Sequence, residues 1–178
     1  MPGDPLIMVR VGFFGKLPSR GDFVRMGLSR PTADAWDRWF NSVLVHAEPA
    51  LRDGTASWQA MAGWRFACGP GVCGPFALTG VWLPSTDRVG RIFPLLIAAQ
   101  GAAAADDFLD AAETIGAEAI RDAAAPELLL RQLDAAPRPG AATGAEGTNA
   151  RWWRKGGAAS LEEEALPDAG AFMRMLGS

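Results

Sequence analysis

Three short apolar segments separated by glycine- and proline-rich turns constrain the fold of this chain more than any other feature. They occupy residues 64–68, 76–83 and 92–98, and the turns between them read GPGVCGP and PSTDRVGR. Short apolar runs bounded by such turns are typical of buried strands, and tight connections favour antiparallel neighbours. The middle of the chain is therefore predicted to form antiparallel strands.

Helical patterns on both sides of these strands determine how the sheet is covered. Apolar residues spaced by three and four, or short segments of high helix propensity, predict helices at 31–51, 56–61, 108–120, 128–133 and 172–176. Two further strands are expected at 8–14 and 151–155. This order predicts an α/β fold, a three-layer α/β/α sandwich around a mixed, largely antiparallel sheet.

The length of 178 residues fits a single domain. A chain of this size buries about 70% of its unfolded surface, so its core needs no metal or disulfide to fold. We expect one domain over residues 1–178, with a mobile loop at 137–150, where bulky side chains are scarce.

The charge is divided unevenly along the chain. Residues 1–100 hold ten Lys and Arg against seven Asp and Glu, a balance of +3, and residues 101–178 hold seven against thirteen, a balance of -6. The overall net charge of -3 argues against nucleic acid as a partner. A surface that recognises anions is expected in the first half.

The residues that most enzymes need are scarce. His46 is the only histidine, and it lies beside apolar positions of a predicted helix. The segment GFFGK at 12–16 lacks the spacing of a phosphate-binding loop, and the C-x4-C spacing of Cys68 and Cys73 matches no metal or redox motif. We therefore expect no enzymatic activity, no cofactor and no metal site.

Two features of the sequence indicate a cytoplasmic protein without direct membrane insertion. The amino terminus lacks the basic and long apolar regions of a signal peptide. The longest nearly apolar stretch, 92–105, is too short to cross a bilayer.

Two loops that follow predicted strands are dense in charge. The candidate contact residues in them are Lys16, Ser19, Arg20, Asp22, Ser85, Asp87, Arg88 and Arg91. If both strands end at the same edge of the sheet, the loops form a polar patch of mixed sign, which favours recognition of a protein over capture of phosphate. The alternative is an internal network in which Asp22 or Asp87 pairs with an arginine and fixes the loops.

The pair Trp152 and Trp153 has two interpretations. Exposed tryptophans are frequent anchors at interfaces. Large aromatic residues are more often buried, however, so a strand that contributes to the core is the favoured interpretation.

Several long motifs resemble the TagF family of type VI secretion accessory proteins. They are GFFGKLPSRGDFVRMGL from Gly12, AWDRWF from Ala35, WRFACGPGVCGP from Trp64, GVWLPSTDRVGRIFPL from Gly80, and a WW pair followed by LPDAGAF. The motifs occur in order along nearly the whole chain. Some family members carry a fused phosphatase domain, for which we expect no room here.

The resemblance implies a non-catalytic cytoplasmic regulator with an α/β sandwich fold. TagF-like proteins are described as post-translational repressors of type VI secretion, acting through the forkhead-associated scaffold protein of the apparatus and independently of threonine phosphorylation. The alternative function is a sensor or enzyme that holds a small anion or nucleotide with Lys16, Arg20 and Arg88.

Overall fold

The computed structural model describes residues 8–52, 55–144, 147, 149–157 and 160–177. Its strands are β1 (Arg10–Gly15), β2 (Val24–Met26), β3 (Trp64–Cys68), β4 (Leu78–Leu83), β5 (Leu95–Gln100), β6 (Ala150–Trp153) and β7 (Ser160–Glu163). Its helices are α1 (Arg30–Arg52), α2 (Thr55–Ala60), α3 (Asp106–Arg121), α4 (Pro126–Asp134) and α5 (Ala169–Leu176). Every strand and helix expected from the hydrophobic pattern is present.

The described strands form a single sheet in the order β2-β1-β5-β4-β3-β6-β7. All of their pairings are antiparallel. The predicted α/β class and largely antiparallel sheet are confirmed, but the parallel pairing that a mixed sheet implies does not occur among these strands. The reason is that β5 lies between β1 and β4 and separates two strands that run in the same direction.

Successive residues of the central strands pack against opposite layers of helices. Trp82 and Leu96 belong to the core under α1, α2 and α5. Their chain neighbours Val81 and Ile97 belong to a second core, under α3 and α4. Because side chains alternate across a strand, one sheet serves both cores, and the three-layer sandwich is confirmed.

Helix α1 is amphipathic and covers the centre of its layer. It buries Trp36, Phe40 and Val43, while His46 and Glu48 are exposed. Pro31 lies in its first turn, where a missing N–H has no cost. No helix within the described ranges has the length and apolar character needed to cross a membrane.

The tryptophan pair of β6 is divided between the core and the surface. Trp152 is fully buried, and its ring lies 5.8 Å from that of Trp36. Trp153 is half-buried, with the Arg151 guanidinium 4.3 Å from the centre of its ring. The interpretation as a core strand is confirmed for Trp152, and the alternative of an exposed anchor is wrong for that residue.

A buried arginine lies between the sheet and α3. Arg65 of β3 is almost inaccessible, and its Nη2 lies 2.6 Å from both Asp110 Oδ1 and Glu113 Oε2. The two carboxylates lie on one face of α3, where residues three apart are neighbours. This ion-pair cluster fixes α3 to β3.

The two strands that the apolar pattern does not reveal lie at the edges of the sheet. β2 has three residues, none of them fully buried. β7 has four residues, of which Leu161 packs against the core. Edge strands are often short and polar, which weakens the signal that identifies buried strands.

Part of the predicted mobile loop at 137–150 contacts the segment that follows β5. The backbone N–H of Ala103 donates to Gly140 O at 3.0 Å, and that of Ala142 donates to Gly101 O at 2.9 Å. Residues 145, 146 and 148 lie outside the described residues. The mobility of the segment stays a prediction.

Candidate functional site

The two charged loops meet because β1 and β4 end at the same edge of the sheet. Both strands are antiparallel to β5, and Gly15 and Leu83 are both paired with Leu95. The first loop, residues 16–22, begins directly after β1, and the second loop, residues 85–91, begins shortly after β4. The strand order therefore places the loops side by side.

Asp87 organises the second loop. Its Oδ1 accepts hydrogen bonds from the backbone N–H groups of Val89, at 3.0 Å, and Arg91, at 2.9 Å. Its Oδ2 accepts a hydrogen bond of 2.6 Å from Arg91 Nε. Aspartate at the start of a turn commonly bonds the backbone two residues further on. The carboxylate thus holds the turn closed from inside.

The charge of Asp87 is retained although its side chain is 0% exposed. Burial by itself would raise the pKa of this carboxyl. The hydrogen bonds from Arg91 and Lys16, together with the charge of Lys16, outweigh burial and lower the pKa from 3.8 to about 2. Asp87 is therefore ionised at neutral pH.

Lys16 connects the first loop to the second. Its Nζ lies 3.2 Å from Asp87 Oδ2, and the side chain is only 11% exposed. The same ammonium group lies 5.2 Å from the centre of the Phe23 ring. In addition, Ser85 Oγ donates a hydrogen bond of 2.8 Å to Lys16 O. Lys16 and Ser85 are thus internal members of the site.

Donors of the second loop also bond to carbonyl groups of the first. The Arg88 backbone N–H donates to Arg20 O at 2.8 Å, and Arg88 Nη2 donates to Ser19 O at 2.8 Å. Arg91 Nη2 donates to Gly21 O at 2.9 Å. Because these bonds satisfy consecutive backbone groups, the two loops form one unit.

The first loop has further contacts with its surroundings. Ser19 Oγ donates a hydrogen bond of 2.7 Å to Ala124 O, in the turn between α3 and α4. The Arg20 guanidinium lies 3.6 Å from Glu127 in an exposed pair, and such surface pairs contribute little stability. Asp22 accepts a bond of 2.7 Å from the Phe23 backbone N–H and is exposed.

The eight candidate residues therefore fall into two groups. Lys16, Ser85 and Asp87 are buried. Arg20 and Ser19 are partly accessible, and Asp22, Arg88 and Arg91 are exposed. The internal network is present, with Asp87 rather than Asp22 at its centre. Contact between the accessible members and a partner stays a prediction.

A groove runs between the loops and α1. It has a volume of about 520 Å³. Apolar side chains form most of its lining, which comprises Lys16, Phe23, Asn41, Leu44, Val45, Glu48, Leu51, Gly90, Arg91, Ile92 and Phe93. Phe23 is 43% exposed and Val45 is 67% exposed, so large apolar groups face solvent here.

Sequence reasoning did not identify Phe23 and Val45 as candidates. The signal for Val45 is that it falls outside the helical stripe, on a face of α1 where His46 and Glu48 are exposed. The signal for Phe23 is a bulky ring in a loop of polar residues. Both are weak signals, because single exposed apolar residues are common on protein surfaces.

The remaining sequence candidates do not assemble into a catalytic or metal centre in the part of the chain described. His46 is exposed, with Nδ1 3.0 Å from Ser42 O. Cys68 and Cys73 are free and buried in the α1 layer of the core. Among the described residues, no group of three or more His, Cys, Asp or Glu is placed to hold a metal ion.

Comparison with known proteins connects this site to a family. Residues 12–143 match the TagF N-terminal domain family, described as type VI secretion system-associated. The chain is also similar to PA0076 from Pseudomonas aeruginosa PAO1, solved in a crystal structure at 2.05 Å, with 29% identity, 94% of each chain covered and a TM-score of 0.81. No curated protein matches the chain.

The family match runs from within β1 to beyond α4 and includes both charged loops and all residues of the groove. The similarity to PA0076 extends over nearly the whole sandwich. This chain belongs to the TagF N-terminal domain family of type VI secretion system-associated proteins.

Proposed function

We propose that this domain is a non-catalytic, post-translational repressor of type VI secretion that binds the forkhead-associated scaffold component of the apparatus in the cytoplasm. Membership of the family supports the association with type VI secretion. The observation that carries the proposed binding is the interlocked pair of charged loops. It holds several accessible charged side chains on a fixed support at one edge of the sheet.

A fixed, charged surface is suited to protein recognition. Side chains that are ordered before binding lose less conformational entropy when a complex forms. The two loops contain Lys16, Arg20, Arg88 and Arg91 against Asp22 and Asp87, four positive charges against two negative ones. Mixed sign with a positive excess favours a partner surface of complementary pattern.

The site also supports a role without catalysis. The His46 ring is exposed, its Nδ1 lies 3.0 Å from Ser42 O of the same helix, and it is not among the residues that line the groove. The buried charges of Lys16 and Asp87 neutralise each other, and the exposed Arg91 forms a second ion pair with Asp87. Such pairing gives these groups a structural role.

Binding measurements with a charge-reversed variant test the proposal. Titration of the purified scaffold into this protein is expected to show binding, and Arg20→Glu with Arg88→Glu is expected to weaken it at least about tenfold. These two arginines lie outside the buried Asp87 pair, so the variant should keep the fold. Arg91 is left unchanged because it helps to neutralise Asp87.

Arg138→Glu is a control for the reversal of an exposed arginine. Arg138 is also an exposed arginine beside a carboxylate, 3.4 Å from Asp134, but it lies outside the loops. Its reversal is expected to leave binding unchanged. No binding by the unaltered protein would contradict the proposed partner, and equal binding by all three proteins would remove the loops from the interface.

The alternative, a sensor or enzyme for a small anion or nucleotide, has less support. Lys16 would have to leave Asp87, and its side chain is only 11% exposed. A thermal shift screen with nucleotides and phosphorylated metabolites tests this alternative. A ligand at a hundred times its Kd stabilises by about 2.7 kcal/mol, so a clear shift would favour the alternative.

A further inference from the structure

We propose that the groove between α1 and the second loop binds an amphipathic helix of a partner protein, with the acidic side of that helix against the loop arginines. The inference rests on the proposed function, because it specifies which part of a protein partner this face accepts. It attributes affinity for the partner helix to apolar residues of the groove, which have no role in recognition by the charged loops.

The groove exposes large apolar groups to solvent. Phe23 and Val45 both line the groove, and the partly buried Leu44 and Ile92 extend its apolar lining. An exposed apolar surface framed by polar residues commonly marks an interaction site. The surrounding charges of the loops supply that frame.

Phe23 is held rigidly although it is 43% exposed. Its ring lies 4.8 Å from that of Phe93, edge to face, and 5.9 Å from that of Phe14 in a stacked arrangement. The Lys16 ammonium, fixed by Asp87, lies 5.2 Å from the ring centre. An aromatic side chain ordered before binding is the type of residue that dominates interface affinity.

The size of the groove fits a short helix. Its helical wall extends from Asn41 to Leu51, which is about 15 Å at a rise of 1.5 Å per residue. Three turns of a helix, with apolar side chains at i, i+4 and i+7, would match this wall.

The arginines of the second loop set the orientation of the bound helix. Arg91 is part of the lining and its side chain is 65% exposed, and Arg88 is exposed on the same loop. The opposite wall presents Asn41 and Glu48. Complementarity therefore places carboxylates of the partner against the arginines.

Substitution of the exposed valine tests the groove separately from the loops. Val45→Glu places a carboxylate in the apolar lining without removing a buried group, since Val45 is 67% exposed. Leu128→Glu is the matched control, because Leu128 is also an exposed apolar residue of a helix but lies on α4, across the sheet. Both variants are expected to keep the thermal stability of the unaltered protein.

Scaffold binding by these variants gives the first result. We expect Val45→Glu to weaken it at least about tenfold and Leu128→Glu to leave it unchanged. Equal binding by Val45→Glu and the unaltered protein would overturn the groove while leaving the proposed function intact.

A pair of peptides gives a result that does not depend on the scaffold. The probes are labelled amphipathic peptides of about 16 residues, or four helical turns, with the same leucine pattern and either Glu or Lys on the flanks. Fluorescence polarisation is expected to show at least about tenfold tighter binding of the Glu peptide, and loss of that binding in Val45→Glu.

Scaffold binding tests the proposed function, and peptide binding tests the groove, so failure of one can be distinguished from failure of the other. If the unaltered protein does not bind the scaffold, the proposed function fails, and the groove is then judged by the peptides alone. Equal binding of the two peptides, or no binding of the Glu peptide, would overturn the proposal that the groove binds an acidic amphipathic helix.

Discussion

Lys16 and Asp87 belong to different loops, yet the Lys16 ammonium lies 3.2 Å from the Asp87 carboxylate, whose side chain is completely buried. The pair connects the chain that leaves β1 with the chain that leaves β4. Arg88 and Arg91 are one and four residues from this carboxylate, so the position of the accessible guanidinium groups depends on it.

Asp87→Ala is expected to lower the free energy of unfolding by about 3 kcal/mol or more, because removal of one partner leaves a buried charge uncompensated. The change also removes the hydrogen bonds to Val89 and Arg91. Urea denaturation measures the effect. Asp22→Ala is the control, and since Asp22 is exposed its effect should stay within about 0.5 kcal/mol.

Stability should depend on pH through the same residue. The pKa of Asp87 is lowered in the folded protein from 3.8 to about 2. The contribution of Asp87 to the free energy of unfolding is therefore fully present above about pH 4. It is lost as pH falls toward 2, because the carboxyl then binds a proton. The full contribution is about 2 kcal/mol. The difference in unfolding free energy between the unaltered protein and Asp87→Asn should decrease over that interval. A constant difference would contradict the ionised, paired state.

The layer structure follows from hydrophobic periodicity, which is why the sequence predicts it well. Residues 64–68 are predicted and observed as β3, with their ends unchanged, because a buried strand bounded by glycine leaves little freedom in its limits. β2 and β7 are missed because each pairs on one side only and has few buried side chains. Their positions depend on neighbours that are distant in the chain.

In the site, too, features that depend on residues distant in the chain cannot be predicted from the local sequence. The sequence identifies charged residues in both loops, but it cannot show that Lys16 and Ser85 are buried while Arg88 is exposed. That division depends on β1 and β4 ending opposite the same residue, Leu95. Strand order is set by long-range pairing, which local periodicity does not encode.

Removal of Asp110 and Glu113 should lower the free energy of unfolding more than removal of Arg65. Without Asp110 and Glu113, the Arg65 guanidinium would stay buried without a counter-charge, at a cost of about 3 kcal/mol or more. Without Arg65, the carboxylates can be hydrated, since Asp110 and Glu113 are partly accessible. Chemical denaturation of Asp110→Ala with Glu113→Ala, compared with Arg65→Met, tests this order. A larger loss in Arg65→Met would contradict it.

The buried cysteines should resist thiol reagents until the protein opens. Cys68 ends β3 and Cys73 lies in the turn that follows, and both side chains are buried. Burial, together with the neighbouring Cys68 thiol, raises the pKa of Cys73 well above 9.0, and the thiolate is the form that reacts. With an aromatic disulfide reagent at pH 8, the native protein should react slowly, and both thiols should react at once in denaturant. If one thiol reacted rapidly in the native protein, the turn at 69–74 would have to open independently of the sheet.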